Sequence, residues 1–101
     1  MDTIELQIDN APNIRFYGER LGEASSRTRD SKRWTVLELY RTAGGKYICS
    51  KEGHSLHEGE YKKTSGAVAE TPQQVIDFFG HSLLAKSLYA AAGINDVLII
   101  D

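Results

Sequence analysis

His54, His57 and Glu58 stand within five residues, as H-S-L-H-E. Two imidazoles and a carboxylate are a donor set that zinc accepts. No second cluster of ligands accompanies them, and His81 stands alone farther along the chain. In a loop the same side chains need only face solvent, so a metal-dependent enzyme built on His54 and His57 is the weaker alternative. No metal or other cofactor is expected. Cys49 is the one cysteine. It would serve as a nucleophile if a histidine lowered its pKa. Its place in a predicted strand favours packing instead, since a buried cysteine behaves as a small hydrophobe. Gly44-Gly45-Lys46 has the look of a phosphate loop, but its spacing fits a hairpin. Glu52, Glu58 and Glu60 pair with no obvious base. The chain is therefore expected not to be an enzyme, and no catalytic residue is assigned.

Charge offers a different chemistry. The segment from Ala24 to Arg33 reads A-S-S-R-T-R-D-S-K-R, with four basic residues against one acidic. Arg27, Arg29, Lys32 and Arg33 form the basic patch, with Arg20 as an outlying member. Arginine suits bidentate phosphate contacts. Trp34 at the border would stack on an unpaired base. The same loop would equally grip an acidic protein surface, or simply be solvated. The chain as a whole carries a formal charge of −2, so nucleic-acid binding through four cations would be weak and salt-sensitive.

These residues need a scaffold. The length of 101 residues fits one domain spanning 1–101. An apolar fraction of 41% and a charged fraction of 26% argue against disorder. A single cysteine permits no intrachain disulfide, and the acidic start Met1-Asp2-Thr3 has no apolar signal core. The expected location is cytoplasmic. The longest apolar run, Val97 to Ile100, is too short to span a bilayer, so no membrane partner is expected.

Ile4, Leu6 and Ile8 alternate with Glu5, Gln7 and Asp9, the period of a half-buried strand. Ile14 to Leu21 is a second strand, in which Gly18 and Gly22 mark bulges or close backbone approach. A loop over 24–33 leads to a third strand, Trp34 to Tyr40, that is apolar on both sides. Trp34, Val36 and Tyr40 point one way, Leu37 and Leu39 the other. A turn centred on Gly44-Gly45 would pair Tyr40 with Cys49 and put Tyr47 on the Trp34 face. A loop over 51–59 then precedes a more polar strand, Glu60 to Val68.

Helix signals follow. Thr71 is an N-cap with Pro72 behind it and Gln74 at the capping-box position, Val75, Ile76 and Phe79 form the buried stripe, and Gly80 ends the helix. Ser82 caps a second helix with a stripe of Leu84, Leu88 and Ala91. Gly93 ends it in a Schellman motif that folds Ile94 onto Tyr89. Val97-Leu98-Ile99-Ile100 reads as a last, fully covered strand. The expected fold is α+β: a mainly antiparallel hairpin meander of about five strands, packed against two short C-terminal helices.

Two such helices cover one face of a sheet and not both. Either the N-terminal strand folds over the second face or the sheet curls into a partial barrel, or a partner covers it. In the last case Trp34, Val36, Tyr40 and Tyr47 are the expected anchors.

F-x-G-x-x-L over Phe16–Leu21 and Y-R-T-A-x-G-K over Tyr40–Lys46, followed by Tyr47, resemble the middle of the small bacterial proteins named for an EXLDI motif. Of the signature itself, Asp96-Val97-Leu98-Ile99-Ile100 keeps the leucine and the last isoleucine. The resemblance implies a bacterial accessory protein, plasmid- or phage-carried. The leading expectation is a non-catalytic protein that acts by protein–protein interaction, as a homodimer or by docking on a larger protein, with inhibition of a nucleic-acid enzyme as a special case. The alternative is a nucleic-acid-associated protein using the basic 27–33 loop.

Overall fold

The computed structural model describes residues 1–56, 61–97 and 100. Five strands, β1 (Asp2–Leu6), β2 (Ile14–Ser25), β3 (Arg33–Thr42), β4 (Tyr47–Ser55) and β5 (Tyr61–Ala69), form one antiparallel sheet in the order β1-β2-β3-β4-β5. Helices α1 (Pro72–Phe79) and α2 (Leu83–Ala92) follow. The fold is thus α+β with a meander sheet. Among the described residues no helix is long and apolar enough to cross a membrane.

The β3–β4 turn fixes which residues share a face. Thr42 N–H donates to the Lys46 carbonyl at 2.8 Å, and Lys46 N–H donates to Thr42 Oγ1 at 2.9 Å. The loop is therefore Ala43-Gly44-Gly45, with Gly45 taking the left-handed φ of 88°. One residue more in the loop than a Gly44-Gly45 turn moves every pairing by one. Tyr40 faces Ile48, Leu39 faces Cys49 and Arg41 faces Tyr47. A shift of one residue exchanges the faces of a strand. Tyr47 and Cys49 therefore join Leu37 and Leu39, opposite to the expected side.

That first face carries the helices. Ala24, Leu37, Leu39, Tyr47, Cys49 and Ala69 meet Val75 and Ile76 of α1 and Ala85, Leu88 and Tyr89 of α2 in one core. The caps hold the helices as the sequence predicts. Thr71 Oγ1 accepts from Gln74 N–H and Ser82 Oγ from Ala85 N–H. Gly93 takes φ 75° and Ile94 N–H returns to the Tyr89 carbonyl at 2.9 Å. The buried stripe of α2 runs through Ala85, Leu88 and Tyr89. Ala91, expected inside, is exposed because α2 turns its Tyr89 side to the sheet.

The second face is covered by the N-terminal hairpin. β2 passes close to the β3 backbone at Gly18 and bulges between Arg20 and Gly22, and β1 and the first half of β2 fold back across the sheet. Ile8 and Ile14 come to rest over Gly66, where an added Cβ would meet their Cδ1 atoms at 2.6 and 3.4 Å. Asp9 then reaches β5. Its N–H donates to the Thr64 carbonyl at 3.0 Å, and its Oδ2 accepts from Thr64 N–H at 2.6 Å. The sheet thus curls toward a partial barrel.

Three expectations change. β2 extends to Ser25 and β4 to Ser55, so the loop between β2 and β3 shortens to 26–32, and His54 lies in a strand. Val97, expected to open a last strand, is 70% exposed and outside the sheet. Leu98 and Ile99 of that expected strand, with His57, Glu58 and Glu60, lie outside the described residues.

Candidate interaction surface

The four expected anchors do not form one surface. Trp34 and Val36 are half-buried, but Tyr40 and Tyr47 are only 7% and 8% exposed. Tyr40 lies under the N-terminal hairpin, edge-on to Phe16 at 5.3 Å, and its hydroxyl donates to Glu38 Oε2 at 2.7 Å. Tyr47 lies on the opposite face, in the helix-side core. The Arg41 guanidinium sits 4.4 Å over its ring and donates to its hydroxyl at 2.6 Å. The curl and the turn register bury both tyrosines, on opposite faces of the sheet. Trp34 remains.

Trp34 stands in a row that crosses the sheet. The register sets it beside His54 of β4, and His54 beside Lys62 of β5. Its ring stacks on His54 at 5.0 Å with planes 2° apart. The Arg27 guanidinium lies 4.2 Å from its centroid. Arg27 approaches from the β2 side, because Ser26 N–H donates to the Thr35 carbonyl at 3.0 Å. The indole is therefore sandwiched between a cation and an imidazole. Such a cation–π contact stabilises an exposed arginine by about 0.5–1 kcal/mol. His54 Nε2 lies 3.0 Å from Glu52 Oε2, whose other oxygen is 3.5 Å from Lys62 Nζ. His54 is thus engaged, and no metal-ligand group of three appears among the described residues.

Elsewhere some cations are paired, while Arg41, Lys51 and Lys86 make no ion pair with a described residue. Arg15 binds Glu5, Arg20 binds Glu23 and Glu38, and Lys46 lies near Glu70. At the Trp34 end, Arg27, Arg29, Lys32, Arg33 and Lys63 make no ion pair with any described residue. They gather because the β2–β3 loop and the start of β5 meet at one end of the sheet. Tyr61, 60% exposed, and Leu56, 46% exposed, add apolar surface there. Beside Tyr61 lies an open recess of 460 Å³ lined by Arg33, Trp34, Thr35, Gly53 and Lys63 among others. The four basic residues expected from the sequence are all at this end. Sequence reasoning missed Tyr61, Lys62, Lys63 and the stacked His54. The signal available was the Lys62-Lys63 pair in a polar strand, and only the β4–β5 register carries it to Trp34.

A second recess, of 610 Å³, lies in the seam between β1 and β5. Of its charged lining residues, Glu5, Glu52 and Lys62 are paired in salt bridges and Asp9 accepts from Thr64 N–H.

Cys49 is fully buried, and burial pushes its thiol from 9.0 up to about 12. Burial and the raised pKa both disfavour the thiolate. Burial first, with the Asp96 charge second, pushes Tyr89 from 10.0 up to about 12. Burial and the hydrogen bond to Glu38 raise Tyr40 in the same direction. All three protons are held more tightly in the fold than in the unfolded chain. Their stabilising contribution is complete below the unfolded values and is lost as pH rises toward the folded ones. Denaturant midpoints are therefore expected to fall steadily between pH 9 and about 12. A Cys49→Ala variant should lose the earliest part of that slope, and an unchanged slope would contradict the assignment.

Comparison with protein-family models, curated proteins and solved structures gave no match.

Proposed function

We propose that the protein is a non-catalytic interaction domain that docks on an acidic surface of a larger protein through the Trp34 end of its sheet. One observation carries this reading: five cations without ion-pair partners among the described residues, Arg27, Arg29, Lys32, Arg33 and Lys63, gather at one end of the sheet with Trp34, Tyr61 and Leu56. Tyrosine, tryptophan and arginine are the side chains that anchor protein interfaces. The unpaired charges steer the encounter. In a bacterial accessory protein such docking can block a nucleic-acid enzyme, and the captured partner would identify that case.

Tyr61 and Tyr17 are similarly exposed, at 60% and 56%, but lie at different ends of the sheet. A photo-reactive analogue at position 61, expressed in the native cells, is expected to give a discrete adduct, and one at position 17 none. Arg29→Glu with Arg33→Glu should weaken the adduct at 61 about tenfold. Equal adducts at both positions, indifference to charge reversal, or an adduct only with a second copy of the chain would each overturn the proposal.

The same cations support nucleic acid as a second reading. Because both faces of Trp34 are occupied, Tyr61 is the aromatic left exposed to a base, and the contacts of the cations would be to phosphate, salt-sensitive and indifferent to sequence. Absence of retardation in a low-salt mobility-shift assay removes it.

A further inference from the structure

Gly53 lies inside β4 with no internal reason to be glycine. Its φ is not in the left-handed region, where Gly45, Gly80 and Gly93 sit. Among the described residues, a Cβ added to it would meet nothing closer than the Lys63 carbonyl oxygen at 4.0 Å. Gly18 and Gly66 differ, since each is held against a neighbour at a distance that an added Cβ could not keep, and Gly22 is tight against Ala92 at 3.1 Å. A glycine inside a strand costs about 0.5–1 kcal/mol relative to alanine. Where no turn, bulge or packing requires it, such a residue marks a place at which a ligand or another backbone comes close.

Gly53 forms the floor of the 460 Å³ recess. It lies between Thr35 and Lys63 in one cross-strand row, and Ser55 lies between Arg33 and Tyr61 in the next. With strands about 4.8 Å apart, the flanking Thr35 and Lys63 leave a slot of about two strand spacings whose centre carries only hydrogen. This is the face that carries the helices, but neither α1 nor α2 reaches it: Lys63 and Tyr61 stay exposed. Arg33 and Lys63 on the rim make no ion pair with a described residue.

We propose that the slot over Gly53 receives an extended, acidic segment of the partner protein, its backbone against Gly53 and a carboxylate between Arg33 and Lys63. The inference rests on the docking reading above and specifies its contact. Charge complementarity selects the acidic segment. The bare floor over Gly53 selects backbone approach.

The test is a titration of the ¹⁵N-labelled protein with a peptide of alternating glutamate and serine, with its glutamine counterpart, and with oligothymidylate. The acidic peptide is expected to shift the amides of Thr35, Gly53 and Lys63, and the glutamine peptide to leave them. Gly53→Val should weaken the acidic peptide about tenfold or more while leaving the melting temperature equal or higher, since valine favours strands. Arg33→Ala should weaken it without altering the fold. Equal binding by Gly53→Val, or shifts confined to the 27–32 loop, would overturn the slot and leave docking by the basic end standing. No shift at either place, together with no adduct at position 61, would overturn both. Stronger shifts of the same amides with oligothymidylate would overturn the choice of a protein partner.

Discussion

Gly18→Ala is expected to lower the melting temperature by about 10–20 °C, an effect out of proportion to one methyl group. The added Cβ would fall on the Arg41 carbonyl oxygen, well inside any allowed contact, with Thr42 Cα at 3.0 Å and Arg41 C at 3.1 Å behind it. All three are backbone atoms of the neighbouring strand, so no rotamer change relieves the clash. Either β2 separates from β3 at the Gly18–Thr42 pair or the bend that folds the N-terminal hairpin over opens. Overpacking of this kind costs about 1–3 kcal/mol and more where backbone must move. For a domain of this size each kcal/mol moves the midpoint by about 4–8 °C. Gly44→Ala is the control. It lies in an exposed turn with Thr42 Oγ1 as nearest neighbour at 3.9 Å, and should melt within about 2 °C of wild type. Equal midpoints for the two variants, read by circular dichroism, would show that the close approach at Gly18 does not hold the curl.

The elements were legible because their signals are local. Thr71 and Ser82 cap helices by hydrogen bonds to residues three positions on, and Gly93 ends α2 with its own φ. The alternation of Ile4 and Leu6 and the doubly apolar β3 likewise need no distant information. Faces and covers were less legible, because they depend on counts of one residue and on where the chain returns. The three-residue loop Ala43-Gly44-Gly45 has the same glycines as a two-residue turn, yet it exchanges Tyr47 for Ile48 on the Trp34 side. The return of Ile8 and Ile14 over Gly66 leaves only the trace that position 66 carries no side chain. The basic half of the candidate surface was visible as a run in sequence. Its aromatic and β5 half was not, since Trp34, His54 and Lys62 meet only through two successive registers. An apolar strand with two greasy sides is evidence for two covers, and a short chain can supply the second by bending its own sheet.

The two covers should differ in strength, and Leu39→Ala measures the stronger. Leu39 is fully buried beneath both helices, between Gly22 and Cys49 in the sheet. Removing its side chain loses the transfer free energy and leaves a cavity that β3 and α2 cannot close. About 3–4 kcal/mol is expected from such a change, with a fall in melting temperature of about 15–25 °C. Ile14→Ala acts on the other cover. Ile14 is half-buried at the inner edge of the hairpin, and the expected cost is about 1 kcal/mol. Stability within a fold divides along such lines. The hairpin is held to β5 by the Asp9–Thr64 pair of hydrogen bonds and a thin layer of Ile8, Ile14 and Phe16. Its amides are therefore expected to exchange with solvent before those of β3 and β4, and Ile14→Ala should speed exchange of β1 while leaving β3 unchanged. Leu39→Ala should speed both together. Equal destabilisation by the two variants, with one common exchange rate, would mean that the curled sheet and the helix layer form a single cooperative unit and that the second face is closed as firmly as the first.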